Sequence, residues 1–196
     1  MLKRLFDFIL ALFGISILLP VWFIISIGVA ITSKGGVFFS HRRVGRNNVD
    51  FYVYKFRTMR ENTGKHSELT LGNRDSRITE FGRFLRKYKL DELPQLFNVL
   101  IGDMSLVGPR PEVRKYVDQY TEEQRSLLSI RPGITDYASI EYADEGNILG
   151  EAEDPEKEYV EVVLPRKLEL GLRYVSERSF LKDISIILRT LSRILT

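Results

Sequence analysis

The stretch FILALFGISILLPVWFIISIGVAITS, residues 8–33, carries no charged side chain and decides the fold class of this chain. At about 1.5 Å of rise per residue, a helix of this length would cross a hydrocarbon core of about 30 Å. Pro20 lies near the middle, where it removes a backbone hydrogen bond and predicts a bend. The segment is therefore predicted to be a membrane element that is broken at Pro20.

Basic residues flank this segment on both sides. Lys3 and Arg4 precede it, and Lys34, Arg42 and Arg43 follow it. Because positive flanks tend to stay in the cytoplasm, we expect a re-entrant helix–break–helix that enters and leaves the same leaflet. Each arm would be roughly 18 Å long, which is enough for one leaflet. A kinked transmembrane span and a cleaved signal peptide are the alternatives.

The rest of the chain predicts an α+β fold that is mostly α. The length of 196 residues fits a re-entrant membrane helix at 1–34 and one domain at 35–196 that faces the cytoplasm. VFFSHRRVG and FYVYKFRTM flank a short polar turn and predict a small β-hairpin. The C-terminal part predicts amphipathic helices that suit a membrane interface. The acidic stretch EYADEGNILGEAEDPEKE is interpreted as a solvated loop.

The composition argues against three kinds of protein: disulfide-stabilised, zinc-binding and nucleic-acid-binding proteins. With no cysteine there is no disulfide framework, and two histidines leave little for a zinc site. The formal net charge of +3 is mild, and a long uncharged segment does not fit a nucleic-acid binder, so no nucleic-acid partner is expected.

The stretch KLDELPQLFNVL, residues 89–100, places two adjacent carboxylates, Asp91 and Glu92, just before Pro94. One interpretation is helix capping, since Asp91 suits an N-cap, Glu92 suits the positive end of the helix dipole, and proline is tolerated in a first turn. The other interpretation is chemical and depends on the basic residues elsewhere in the chain.

Those basic residues predict phosphate binding. Lys55 and Arg57 share one face of the second strand, Arg86 lies on a helix, and flanking prolines restrict the backbone of Arg110. An edge strand protected by basic residues and an ordinary loop arginine are the simpler alternatives. Carboxylates beside bound phosphate are explained by a divalent cation, because Mg²⁺ takes one or two carboxylates together with phosphate oxygens. The pattern therefore predicts phosphoryl transfer at a membrane surface.

Three motifs carry a family resemblance: YKFRTM, LRKYKLDELPQLFNVLIGDMSLVGPRPE and RPGIT, in this order after a proline-broken apolar N-terminus. The chain resembles the bacterial sugar transferase family, the monotopic phosphoglycosyl transferases, in their minimal short form. The resemblance implies transfer of a sugar 1-phosphate from a UDP-sugar to undecaprenyl phosphate, with Mg²⁺ and release of UMP. It also implies a bacterial inner-membrane location, a cytoplasmic catalytic domain and a role at the start of surface-glycan assembly.

The resemblance also implies roles for individual residues. It places the nucleophile at Asp91, the Mg²⁺-binding acid at Glu92, and the membrane break at Pro20. The substrate-binding residues fall on Lys55, Arg57, Arg86 and Arg110.

Three departures from the family pattern stand out. Leu19 replaces the serine that many members carry before the membrane proline, Gly171 replaces an aspartate of some members, and DYASIEYADEGN follows RPGIT. The sugar and the oligomeric state are left open. The alternative function is a catalytically inactive, membrane-anchored scaffold of a glycan-assembly complex.

Overall fold

The computed structural model describes residues 2–60, 69, 71–72 and 75–195. Of residue 195 it describes the backbone alone. It shows the predicted α+β fold, which is mostly helical. The α-helices in this part of the chain are α1 Leu2–Thr32, α2 Glu80–Lys87, α3 Gln95–Ile101, α4 Arg114–Val117, α5 Tyr137–Glu141, α6 Glu145–Glu151, α7 Pro155–Glu158, α8 Leu164–Glu177 and α9 Phe180–Leu195. The strands are β1 Phe38–Val44, β2 Asp50–Phe56, β3 Ser105–Val107 and β4 Gly133–Thr135.

Helix α1 is long and apolar enough to cross a membrane, and it is continuous through Pro20. The structure therefore has one uninterrupted α-helix where two helices with a break at Pro20 were predicted. The re-entrant course of this segment in a bilayer stays a prediction. One stripe is buried against the domain and consists of Asp7, Ala11, Ile15, Trp22, Ile25 and Val29. Large apolar side chains are exposed elsewhere on the helix, among them Phe13, Ile17, Leu19, Phe23, Ile24 and Ile31. Such a surface indicates association with a membrane.

Contacts with the domain fix both ends of α1. Near its start, Lys3 Nζ lies 2.5 Å from Asp183 Oδ2 of α9, and the Asp7 carboxylate accepts a hydrogen bond from Ser105 Oγ at 2.8 Å. Just after its end, Ser33 Oγ donates to the carbonyl of Met59. The helix therefore lies along the domain over its whole length.

The predicted β-hairpin is confirmed. Strands β1 and β2 pair antiparallel with Phe39 opposite Lys55, and the turn between them uses Asn47 and Asn48 at positive φ. Asparagine tolerates this conformation better than most residues. The hairpin presents Lys55 toward the segment that carries the two carboxylates.

A second, parallel strand pair was not predicted from the sequence. Strand β3 pairs with β4, with Ser105 opposite Gly133. The backbones approach closely beyond β3, since a Cβ on Gly133 would lie 2.1 Å from the amide nitrogen of Gly108. This glycine contact holds the loop that follows β3, and that loop carries Arg110.

The interpretation of the acidic stretch as a loop is wrong. The structure forms helices α6 and α7 there, and Asp154 caps α7 by accepting from the backbone amides of Glu156 and Lys157. Leu149 of α6 is fully packed in the core beside Tyr159 and Leu168. Burial of a few apolar residues therefore outweighs the high charge of this segment.

Candidate active site

The local backbone at Asp91 and Glu92 differs from the predicted helix start. Helix α2 ends at Lys87, and Lys89 takes a left-handed conformation with φ of 53°. A single 3-10 turn over Leu90–Glu92 follows, and α3 begins only at Gln95, after Pro94. Asp91 makes no capping hydrogen bond to the described part of α3, so the capping interpretation does not explain its presence.

The two carboxylates have different surroundings. The carboxylate of Glu92 is bound by two cations. Lys55 Nζ lies 2.7 Å from Glu92 Oε1, and Arg110 forms a two-pronged pair in which Nη1 lies 3.3 Å from Oε2. Burial alone would raise the pKa of Glu92, but the charges of Arg110 and Lys55 hold that pKa well below its usual value. Glu92 is therefore a carboxylate at neutral pH.

Asp91 is buried, and no hydrogen bond reaches its carboxylate from the residues that the structure describes. Burial raises the pKa of Asp91, the charge of Lys55 opposes that rise, and neighbouring Glu92 adds to it. A buried carboxylate without hydrogen-bond partners is poorly stabilised in place. This is the state expected of a reactive group rather than of a structural one.

Arg86 belongs to the same cluster, whereas Arg57 points elsewhere. Arg86 Nε donates to Thr58 Oγ1 at 2.8 Å; burial lowers the pKa of Arg86, while the charge of Asp91 opposes this. Arg57 instead donates to the backbone carbonyls of Gly36 and Phe38, at 2.9 and 3.3 Å. These contacts tie Arg57 to the start of the hairpin, and its predicted substrate-binding role is untested.

Arg110 is positioned by its backbone as well as by its side chain. Its amide N–H donates to Asp136 Oδ2 at 3.3 Å, and Asp136 Oδ1 accepts from both the amide and the hydroxyl of Ser139. Burial raises the pKa of Asp136. Sequence reasoning missed Asp136, although an aspartate three residues before Ser139 is a readable capping signal for α5.

A cleft lies beside Arg110, and its lining includes neither Asp91 nor Glu92. Its wall includes Asp136, Glu112 and Lys167. Lys167 Nζ lies 3.0 Å from Glu112 Oε1 and 3.1 Å from Oε2 of Glu145, which lies behind the wall. The rest of the wall is apolar and comes from Leu127, Ile130, Leu168 and Gly171, among others. Lys167 and the two glutamates pair with each other, so the charges behind Arg110 are compensated rather than isolated.

The arrangement as a whole places cations from three separate elements around two adjacent carboxylates. Lys55 comes from the hairpin, Arg86 from α2 and Arg110 from the loop after β3. Cations that surround one site from several sides can bind a diphosphate. The planar guanidinium of arginine is suited to binding two phosphate oxygens at once. Glu92 is paired with Lys55 and Arg110, whereas Asp91 has no ion pair or hydrogen bond to its carboxylate among the described residues, and this difference allows the two to act differently.

Comparison with known proteins places the sequence of this chain in one family. The model of the bacterial sugar transferase family matches residues 1–196, so the chain belongs to that family. The UDP-N-acetylgalactosamine-undecaprenyl-phosphate N-acetylgalactosaminephosphotransferase of Aeromonas hydrophila is 36% identical over 100% of this chain and 44% of its own length.

Two further relatives show the same range of similarity. The UDP-glucose:undecaprenyl-phosphate glucose-1-phosphate transferase of Xanthomonas campestris pv. campestris is 37% identical over 98% of this chain and 38% of its own length. The uncharacterized sugar transferase EpsL of Bacillus subtilis (strain 168) is 37% identical over 99% of this chain and 87% of its own length. The chain therefore spans less than half of the first two relatives and most of EpsL.

Proposed function

We propose that this protein transfers a sugar 1-phosphate from a UDP-sugar to undecaprenyl phosphate and releases UMP. The observation that carries the proposal is the buried Asp91, unpaired among the described residues, beside a Glu92 held by Lys55 and Arg110. The relatives named for this kind of transfer support it. The initiation of surface-glycan assembly belongs to the same proposal.

The proposed reaction has two displacements at one phosphorus atom. A carboxylate oxygen of Asp91 attacks the sugar-bearing phosphorus of the donor, and the bond from that phosphorus to the bridging oxygen breaks, so UMP leaves. A phosphate oxygen of undecaprenyl phosphate then attacks the same phosphorus and releases the Asp91 carboxylate. Atoms and charges balance in both steps without an additional reactant.

Each cation has a task in the proposed reaction. Burial raises the pKa of Asp91, and the charges of Lys55 and Arg86 oppose that rise, so their task is to favour the ionised, nucleophilic form. Arg110, which now binds both oxygens of Glu92, can bind two oxygens of the donor phosphates in the same geometry. Their charges also stabilise the negative charge that develops on the leaving UMP.

The residues present fit Mg²⁺ shared with the substrate. The described residues contain no group of three or more histidine, aspartate or glutamate side chains that could hold a metal, so a cation here would complete its shell with phosphate oxygens. We propose Glu92 as the protein ligand. Bound Mg²⁺ would supply charge neutralisation at the donor phosphates.

Glu92→Gln should raise the Mg²⁺ concentration needed for half-maximal turnover by about tenfold or more, because the amide is a weaker ligand than a carboxylate. Turnover is measured across a Mg²⁺ series. Glu141→Gln, on a surface carboxylate paired with Arg166, is the matched control. A Glu92→Gln enzyme with lower turnover but an unchanged Mg²⁺ requirement would assign Glu92 a role other than metal binding.

We also propose that α1 enters and leaves the cytoplasmic leaflet and that the domain faces the cytoplasm. A straight helix of this length would be about 46 Å long, more than a hydrocarbon core needs. If it crossed the bilayer, its two ends would lie on opposite sides. Yet Lys3 and Ser33, at its two ends, contact Asp183 and Met59 of the same domain.

Single reporter cysteines test this topology cleanly, because the chain has no cysteine of its own. Leu2 and Val49 are well exposed, on α1 and in the hairpin turn. With a membrane-impermeant maleimide, Leu2→Cys and Val49→Cys should both react only after the cells are opened. Labelling of Leu2→Cys in intact spheroplasts, with Val49→Cys still protected, would establish a transmembrane course for α1.

The alternative function is a membrane-anchored scaffold without activity, and product analysis separates the two. Purified protein is supplied with undecaprenyl phosphate, Mg²⁺ and a panel of UDP-sugars, and the released nucleotide is identified. UMP is expected. UDP would indicate ordinary glycosyl transfer, and no nucleotide with any donor would favour the scaffold.

A further inference from the structure

Asn98 is a fully buried polar side chain with no assigned role. It lies on α3 with an exposed fraction of 0%. Its amide Nδ2 donates to the carbonyl of Tyr52 at 2.7 Å, and its Oδ1 accepts from the backbone N–H of Tyr54 at 3.0 Å. The side chain is thus bonded to the backbone of β2, on both sides of Val53.

These two bonds imitate a strand partner. Strand β1 pairs with one edge of β2, and Asn98 satisfies a donor and an acceptor of β2 that would otherwise lack strand partners. The orientation of the carboxamide is unambiguous, because only its nitrogen can donate to a carbonyl and only its oxygen can accept from an N–H. Asn98 therefore specifies one register between α3 and β2.

The two elements that Asn98 joins, β2 and α3, also position two residues of the candidate active site. Strand β2 carries Lys55, directly after Tyr54, and the segment that leads into α3 carries Glu92. The contact between Lys55 Nζ and Glu92 Oε1, at 2.7 Å, joins the same two elements at a second point. Apolar packing of Val53 against Val99 fills the space between the polar contacts.

We propose that Asn98 is a positioning residue, which sets the register of β2 against α3 and thereby holds the Lys55 ammonium at Glu92. The proposal rests on the proposed function for its catalytic meaning, but its structural claim does not. Apolar contacts alone tolerate small slides between elements, whereas two directional hydrogen bonds do not. Loss of the carboxamide should therefore loosen Lys55 before it unfolds the domain.

A chemical probe of Lys55 tests the structural claim without any substrate. Reductive methylation is followed by mass spectrometry at Lys55 and, as an exposed internal standard, at Lys87. Asn98→Leu keeps a similar volume and removes both bonds, so the methylation rate at Lys55 should rise at least fivefold relative to Lys87. If Asn98→Leu does not fold, Asn98→Ser replaces it: its shorter side chain keeps the position polar but cannot bond both Tyr52 and Tyr54 as the carboxamide does, so a faster methylation of Lys55 relative to Lys87 is again expected.

A double-mutant cycle tests the catalytic claim. Asn98→Leu should raise the KM for the UDP-sugar about tenfold in the wild-type background but less than twofold in the Lys55→Met background, because the lost positioning no longer matters there. Tyr174→Phe is the matched control. It removes a buried hydroxyl that bonds Val107 of β3 and Asp183 of α9 rather than β2, and it should have equal effects in both backgrounds.

The outcomes distinguish failure of the positioning role of Asn98 from failure of the proposed function. An unchanged methylation rate at Lys55, or equal KM effects of Asn98→Leu in both backgrounds, overturns the positioning role. Failure of the wild-type protein to use any UDP-sugar overturns the proposed function instead. In that case the methylation result still decides whether Asn98 holds Lys55.

Discussion

Asp91→Asn should abolish UMP release when the protein is given a UDP-sugar and Mg²⁺ without the lipid acceptor. The asparagine amide is not a nucleophile toward phosphorus, so the first displacement cannot occur. We expect a loss of at least a thousandfold, which corresponds to about 4 kcal/mol of transition-state stabilisation. The measurement is the burst of UMP in a single turnover, together with a labelled sugar-phosphate adduct on the wild-type protein.

The fold should survive this change, because no described residue hydrogen-bonds the Asp91 carboxylate. Asp118→Asn, at an exposed carboxylate on the surface of the domain, controls for a general effect of removing a negative charge. An adduct mapped to any residue other than Asp91, or robust turnover by Asp91→Asn, contradicts the assignment of the nucleophile.

Arg110→Lys should keep the fold and lower kcat/KM by more than tenfold, or about 1.4 kcal/mol or more. The guanidinium binds both oxygens of Glu92, and a lysine ammonium cannot reproduce this two-pronged geometry. Steady-state kinetics with thermal unfolding of both proteins separates activity from stability. Arg114→Lys, at a surface arginine paired with Asp50, is the matched control.

Removal of the Arg110 side chain should lower activity but raise the affinity of the protein for Mg²⁺. Because Arg110 competes for Glu92, Arg110→Ala should bind Mg²⁺ more tightly than the wild type in the absence of a nucleotide, by titration calorimetry. Equal Mg²⁺ affinity would show that the ion pair with Glu92 does not limit access of the metal.

Local sequence signals predicted the elements that depend on local chemistry. The polar turn predicted the hairpin, which the structure shows. Residue types typical of helix ends also lie where the helices begin and end: Thr79 caps α2 by accepting from the Gly82 amide at 2.9 Å. Gly102 ends α3 with φ of 102°. Lys55, Arg86 and Arg110 were each predicted as phosphate ligands, and the structure brings all three toward the carboxylate pair.

The features that sequence reasoning missed depend on contacts between distant residues. The contacts of Arg57 are one example: the sequence places it on the same strand face as Lys55, and its guanidinium donates to the carbonyls of Gly36 and Phe38, while its role in substrate binding stays a prediction. The helical state of the acidic stretch depends on Leu149 reaching the core. The 3-10 turn at Asp91 depends on the left-handed Lys89, which no capping rule predicts.

The packing of α1 has a consequence for how the protein is made. Phe6 contacts Phe180 at 4.9 Å between ring centroids, and Lys3 pairs with Asp183, 180 residues away along the chain. During synthesis the start of α1 leaves the ribosome long before α9 exists. Its apolar surface therefore needs the shelter of lipid or a chaperone while the domain is still being translated, and the contact between α1 and α9 forms only after α9 has been made.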